Sequence, residues 1–377
     1  MDREKRWIWQ DEAYPLFAYD LKKLDRIIEA VSRKQGELMV LGRVVGRESL
    51  EQSQRNALES EIIASAAIEG EILDRDSVKS SIKERLGIEV TDSYRAKTKE
   101  SNYVDILLDA NSSYAEPLTL DKILAWHSQM FEGHHSSMWQ MEIGAFRGSG
   151  TMQIVSGVVG KEKVFYEAPP YHQLGKEMDA YIRWFNTTPP SLIKAAIAHL
   201  WFVIIHPFDD GNGRITRAIT DKVLSALEAS VPIRLYSMSK SIHNDRKSYY
   251  RALEHTTGYI AKEDPMDITL WCEWFLETLS HALSEAIASI EHVVDKARFW
   301  DKHRESPLNE RQIKVLNIIL DRGIDHEESG LSTKKYMKMA HTTSATASRD
   351  MKALVELGCI KQLEGTSGRN IRYRVIL

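Results

Sequence analysis

Cysteine is nearly absent from this chain: only Cys272 and Cys359 occur among 377 residues, far apart and without metal-ligand spacing. That argues against a disulfide framework or a zinc site and leaves both as small apolar core residues. Long apolar runs are missing too. The longest mostly apolar stretch, Ile193 to Ile205, is interrupted by Lys194 and His199, and a spanning helix needs roughly 20 such residues. The opening Met1-Asp2-Arg3-Glu4-Lys5-Arg6 lacks the apolar stretch that a secretory signal carries. The expectation is a cytoplasmic protein with no membrane partner. A net charge of −4 speaks against nucleic-acid binding by the chain as a whole. With 43% hydrophobic and 28% charged residues, it has enough apolar material for a large core and a smaller satellite.

The residue pattern divides the chain into a helical region 1–115, a core 116–300 and a module 308–377. Helical spacing runs from Leu16 to Val45, with Gly36 expected to interrupt it, and from Leu58 to Ile68, with Gly70 as the stop. Asp76 is expected to cap a helix that Gly87 closes. In the core, helices are expected over Leu120–Phe131, Tyr171–Asn186 and Leu192–Ile205. Between them, Met152–Val159 and Lys163–Tyr166 read as a hairpin turning at Gly160, either a surface ornament or a flap over a site. After Pro307 the order becomes helix, helix, helix (closed by Gly358) and a hairpin around Gly365 and Gly368, the order of a winged helix-turn-helix. From Leu331 onward, five lysines and four arginines face three acidic residues, a net +6. Such a basic module suits DNA as a partner. Winged helices also serve as protein-interaction modules, and both uses stay open.

The sharpest signal is His206-Pro207-Phe208-Asp209-Asp210-Gly211-Asn212-Gly213-Arg214-Ile215-Thr216-Arg217. Two glycines around an asparagine let backbone N–H groups turn inward as an anion nest, and the helix that follows adds its positive N-terminus. Arg214 and Arg217, three apart, share one helix face and reach phosphate oxygens. Asp210 suits a divalent metal held against those oxygens. His206 suits a general base for an attacking hydroxyl. Phe208 is expected to anchor the loop in the core.

This stretch resembles the signature of Fic-domain proteins, H-x-F-x-[D/E]-G-N-G-R-x-x-R, at every specified position. The resemblance implies a mainly α fold, a Fic-type helical core over about Leu118–Leu279 with a β-hairpin flap. It also implies AMP transfer from ATP to a Ser, Thr or Tyr hydroxyl of a target protein, and of the enzyme itself. In those terms His206 is the base and Asp210 holds Mg²⁺ on the α- and β-phosphates. Gly211, Asn212 and Gly213 cradle phosphates, Arg214 supports the β-phosphate and Arg217 meets the γ-phosphate. Ile215 and Thr216 fall within the same nucleotide-binding stretch. Relatives acting as kinases carry lysine in place of Gly213, so the glycine favours nucleotidyl transfer. Val164, Phe165, Tyr166 and Glu167 match the flap, which aligns the target peptide by strand addition. Tyr249 and Tyr250 match a pair that encloses the adenine, although buried core tyrosines would look the same. Eight residues beyond Tyr249, where some relatives have a nucleotide-touching asparagine, stands Thr257.

Ser65-Ala66-Ala67-Ile68-Glu69-Gly70 resembles the family's inhibitory motif, [S/T]-x-x-x-E-[G/N]. A glutamate beside Arg217 takes the space and charge that a γ-phosphate needs. Trp7-Ile8-Trp9-Gln10 resembles the start of a segment found before some Fic cores. Two rival readings remain. One is removal of AMP by the same residues, with His206 as general acid. The other is a DNA-binding regulator whose core only senses nucleotide. A homodimer stays open, as do the target and the signal that withdraws Glu69.

Overall fold

The structure, a computed structural model, describes residues 7–88, 97–132, 141–156, 163–228, 234–258, 264, 266–322, 330–367 and 370–377. The opening Met1–Arg6, the expected turn at Gly160 and Gly368 lie outside the described residues. The chain divides into two compact units, 1–39 with 51–285 and 40–50 with 286–377. Residues 1–39 and 51–115 therefore share one unit with most of the core, while 40–50 belong to the other. The division expected after 300 falls inside a long helix, whose Phe299 belongs to the core of the C-terminal module.

The larger unit is helical. Its elements include most of α1 (Leu21–Val44) and of α2 (Arg47–Ile68), then α3 (Arg75–Arg85), α4 (Thr98–Ser112), α5 (Leu120–Met130), α6 (Leu174–Thr187), α7 (Leu192–Ile205), α8 (Asn212–Leu227), α9 (Met238–Asn244), α10 (Arg246–Thr257) and the start of α11 (Thr269–Lys302). Strands β1 (Gln153–Ser156) and β2 (Lys163–Glu167) pair antiparallel, with a register shift between Ile154 and Val155. Three local expectations need correction. Helix α1 runs straight through Gly36, because a helical glycine costs only about 1 kcal/mol and the flanking pattern is strong. The cap of α3 is Asp74, whose carboxylate accepts from Asp76 N and Ser77 N. Helix α2 begins a full three turns before Leu58, since its polar first half carries little apolar periodicity.

Helix α7, apolar but for Lys194 and His199, is buried along its whole length, as its composition demands. Each fully enclosed Leu, Ile or Phe there contributes about 1.5–3 kcal/mol. Ser191 caps its start by accepting from Lys194 N. His199, in the middle of α7, joins three helices. Thr220 donates its own proton to Thr216 O, so it accepts from His199 Nδ1 at 3.0 Å, and His199 Nε2 accepts from Tyr249 Oη at 3.1 Å. Burial pushes His199 down to about 3, with the Arg217 charge adding to the effect.

In the smaller unit, α12 (Glu310–Arg322), α13 (Thr333–Ala340) and α14 (Ser344–Glu356) precede an antiparallel pair, β3 (Ile360–Gln362) and β4 (Tyr373–Val375). Leu331 adds an antiparallel bridge to Tyr373. Phe299, Leu316, Tyr336, Leu354 and Cys359 are among its core. Among the described residues, no helix is long and apolar enough to cross a membrane.

Candidate active site

The loop between α7 and α8 is built to stop one helix and start another within a few residues. Pro207 disfavours the right-handed conformation at His206, which adopts φ +49 and closes α7. Gly211 caps α8 with φ +83, and a Cβ on it would stand 3.0 Å from Phe131 Cε2 and 3.1 Å from Met130 Sδ. Glycine is required there twice over, for its dihedral and for its space. Asn212 ties the turn shut: Phe208 N donates to its Oδ1 at 3.0 Å and its Nδ2 donates to Phe208 O at 2.8 Å. The asparagine side chain thus braces the loop, and only its backbone is left to meet an anion. Phe208 is fully buried and stacks on His127 at 4.1 Å.

The first helical bond of α8 runs from Ile215 N to Gly211 O. The N–H groups of Asn212, Gly213 and Arg214 precede it, as the unpaired donors at any helix start do. Ile215 and Thr216 are fully buried, with Thr216 Oγ1 donating to Asn212 O. The Thr216 hydroxyl is thus engaged within α8 itself.

His206 is only partly buried. Its Nδ1 stands 3.3 Å from Val203 O, which only accepts, so Nδ1 carries the proton and Nε2 keeps its lone pair. Desolvation dominates its titration and pushes it down to about 4; the Val203 carbonyl and Glu69 pull upward, and Arg147 pushes down. At neutral pH the ring is a neutral base.

Arg217 is 96% buried at its side chain and meets the N-terminal arm. Its Nε donates to Ser65 Oγ, and its Nη2 donates to Ser65 O and Glu69 Oε1, all at 2.8 Å. Desolvation alone would raise Glu69, but Arg217, by charge and hydrogen bond, with Arg214 and His206 behind it, brings it below the usual carboxylate range. Gly213 makes this contact sterically feasible: a Cβ there would sit 2.1 Å from Glu69 Oε1. Arg214, equally buried, donates from Nη1 to Glu71 Oε2 at 2.8 Å and to Tyr103 Oη, and from Nη2 to Asp210 Oδ2 at 3.1 Å. Arg217 Nη1 and Arg214 Nε are buried with no hydrogen-bond partner among the described residues. Buried guanidinium donors in that state are what an incoming polyphosphate would satisfy.

Asp210 is largely exposed and accepts from Gly211 N at 2.6 Å. Among the described residues no three metal-ligating side chains cluster.

The flap bounds a cavity of about 370 Å³ together with α10. Phe165 and Tyr166 line it, as do Val203, Arg246, Tyr250 and Thr257. Tyr166 Oη donates to Ile204 O, fixing the flap to the end of α7. Val164 and Glu167 are not in the lining; Glu167 O accepts from Trp9 Nε1 at 2.6 Å, and its Oε2 accepts from Gln153 Nε2. The two tyrosines separate. Tyr250 is 41% exposed at the cavity, whereas Tyr249 is 4% exposed and bonded to His199, a core residue and not a wall. Thr257 also lines the cavity but donates its hydroxyl to Leu253 O.

Three supports carried no conspicuous sequence signal. Arg147, 1% exposed, donates from Nε to His206 O and from Nη2 to Pro169 O, joining the turn at His206 to the segment that follows β2. The run of glycines 144, 148 and 150 around it was the available clue. His127 accepts from Gly144 N and donates to Asp210 O. Glu71 stands one residue past the Ser65–Gly70 stretch.

Residues 117–224 match the Fic/DOC family, and residues 7–88 match a domain of unknown function, DUF4172. The chain carries a Fic domain. Its relatives include the protein adenylyltransferase Fic of Nematostella vectensis, 25% identical over 62% of this chain and 51% of that protein. That of Drosophila melanogaster is 23% identical over 66% of this chain and 49% of its own length. The chain thus spans about half the length of these relatives. A Fic family protein from Desulfovibrio desulfuricans G20 shares the fold, with TM-score 0.50 and 22% identity over 93% of this chain and 96% of that one.

Proposed function

We propose that this Fic domain transfers AMP from ATP to a hydroxyl of a target protein, and of itself, and that Glu69 restrains it. The observation that carries this reading is the placement of His206, its Nδ1 turned to Val203 O, in the same loop as the two buried arginines. The hydroxyl oxygen bonds to the α-phosphorus, the bond from that phosphorus to the β-bridging oxygen breaks, and pyrophosphate leaves. The hydroxyl proton passes to His206 Nε2. The N–H groups of Asn212, Gly213 and Arg214 hold phosphate oxygens, with Arg214 on the β-phosphate and Arg217 on the γ-phosphate. Asp210 would hold Mg²⁺, whose charge offsets that of the phosphates when bound. The cavity beside Phe165 and Tyr250 takes the base, and the flap aligns the target by strand addition.

In the resting chain Glu69 occupies Arg217, so the γ-phosphate has no seat and in-line attack is lost. Relatives named as protein adenylyltransferases support the reaction class. Mass spectrometry of a lysate treated with the Glu69→Gly protein and ATP tests it: added AMP on proteins is expected, and its complete absence contradicts the reading. The reverse reaction, removal of AMP with Glu69 positioning water, uses the same residues; release of AMP from a pre-modified protein by the wild type would mark it.

The C-terminal module is proposed to be a winged helix that contacts DNA. Arg349 and Lys352 are exposed on α14, and Lys361 and Arg374 on the hairpin, whereas Asp350 is turned inward and paired with Arg311 at 3.0 Å. Salt-sensitive binding of duplex DNA by the full chain, lost when these four are replaced, is the expected result.

A further inference from the structure

The brake motif accounts for one carboxylate, yet the N-terminal arm brings two. Helix α2 closes on Gly70, at φ +80, with Gly70 N donating to Ala67 O and Glu71 N donating to Ala66 O. This double closure fixes the backbone on both sides of the glycine. Glu69 and Glu71 therefore leave the helix end as a pair of set spacing. They meet Arg217 and Arg214, which are one turn apart on α8, each at 2.8 Å. Glu71 is further gripped by Lys99 Nζ and Tyr103 Oη, so its seat beside Arg214 is built from α4 as well.

We propose that Glu71 sets how many phosphates the resting site accepts, by holding Arg214 as Glu69 holds Arg217. The inference rests on the nucleotide reading above. A guanidinium buried to about one-twentieth exposure needs a counter-charge, and a carboxylate and a phosphate compete for that place. Glu69 alone would leave Arg214 open to a β-phosphate. With both acids seated, the base cavity and the N–H groups at the start of α8 still receive a nucleoside monophosphate, while each further phosphate meets an occupied arginine.

Calorimetric titration of the full chain with AMP, ADP and ATP tests this, using wild type, Glu69→Gln, Glu71→Gln and Glu71→Asp. The aspartate keeps the charge but falls short of Arg214, and it serves if the glutamine variant folds poorly. Wild type is expected to gain little affinity from AMP to ATP. Both Glu71 variants should bind ADP and ATP about tenfold more tightly, the scale of one charge-assisted hydrogen bond, with AMP unchanged. Glu69→Gln should tighten ATP alone. If Glu69→Gln tightens ATP while ADP is unmoved in both Glu71 variants, the role of Glu71 is overturned and the nucleotide reading stands. An equal gain for AMP in the Glu71 variants overturns it as well, because the effect would then lie outside Arg214. If no protein binds any nucleotide, the proposal and the reading beneath it both fall.

Discussion

Two segments meet over the same pair of arginines, and they are held in opposite ways. The loop 206–217 is braced by packing and backbone contacts: Asn212 closes it, Phe208 buries its waist, Arg147 holds His206 and His127 holds Asp210. The arm 65–71 meets that loop through ion pairs and hydrogen bonds to Arg214 and Arg217, with its glutamates partly open to solvent. Packing makes the first rigid, since breaking it exposes core. Charge makes the second exchangeable, since another anion satisfies the same donors. A fixed cradle with a replaceable acidic plug is the physical meaning of the proposed autoinhibition.

The contrast is sharpest at His206 and Glu69. His206→Ala removes the imidazole base of the loop, and labelling of protein from ATP should fall by at least about a hundredfold, the usual worth of a positioned base. Glu69→Gly empties Arg217, and labelling should rise by about tenfold or more, the scale of one charged hydrogen bond released to a phosphate. Gly213→Ala attacks the plug from the cradle's side. Its methyl needs the space of Glu69 Oε1, the mobile end of a side chain, so labelling should rise above wild type but stay below Glu69→Gly. Labelling below wild type would show that the methyl obstructs the nest more than it displaces the plug.

The tyrosine pair separates fold from site in the same manner. Tyr249→Phe leaves His199 Nε2 buried without a donor and should lower stability by about 1–3 kcal/mol in denaturant unfolding, with nucleotide affinity unchanged. Tyr250→Ala should weaken nucleotide binding with little loss of stability. Acid provides the gentlest probe. His199 and His206 titrate near 3 and 4 when folded and near 6.5 when unfolded, so the unfolded chain binds more protons between those values. Stability should be full above pH 6.5 and decline below it, by up to about 1.4 kcal/mol per pH unit for each ring. The midpoint of thermal unfolding between pH 7.5 and 5 checks this, and a flat or rising trend on acidification contradicts it.

What the sequence shows and what it hides follow the same division. The twelve-residue loop is contiguous, so base, carboxylate, nest and arginines are all legible before any coordinates. Contacts between distant segments are not. Nothing in the spacing of Arg147 announces that it reaches back to His206, and Glu71 gains meaning only once Gly70 turns it toward Arg214. Helical periodicity located the buried α7 well, because its apolar residues surround it. It missed the first half of α2 and all of α4, where polar and apolar residues mix. Tyr249 and Tyr250 were indistinguishable as neighbours in a motif, and a helix rotation of one residue sends one to the core and the other to the cavity.

The most direct measurement of the central claim compares two labels on one variant. The Glu69→Gly protein is incubated with ATP labelled at the α-phosphate or at the γ-phosphate, beside a Glu69→Gly, His206→Ala double variant. Protein-bound label from the α position only, lost in the double variant, is the result expected of AMP transfer by His206. Label from the γ position, or α label that survives loss of His206, would contradict it.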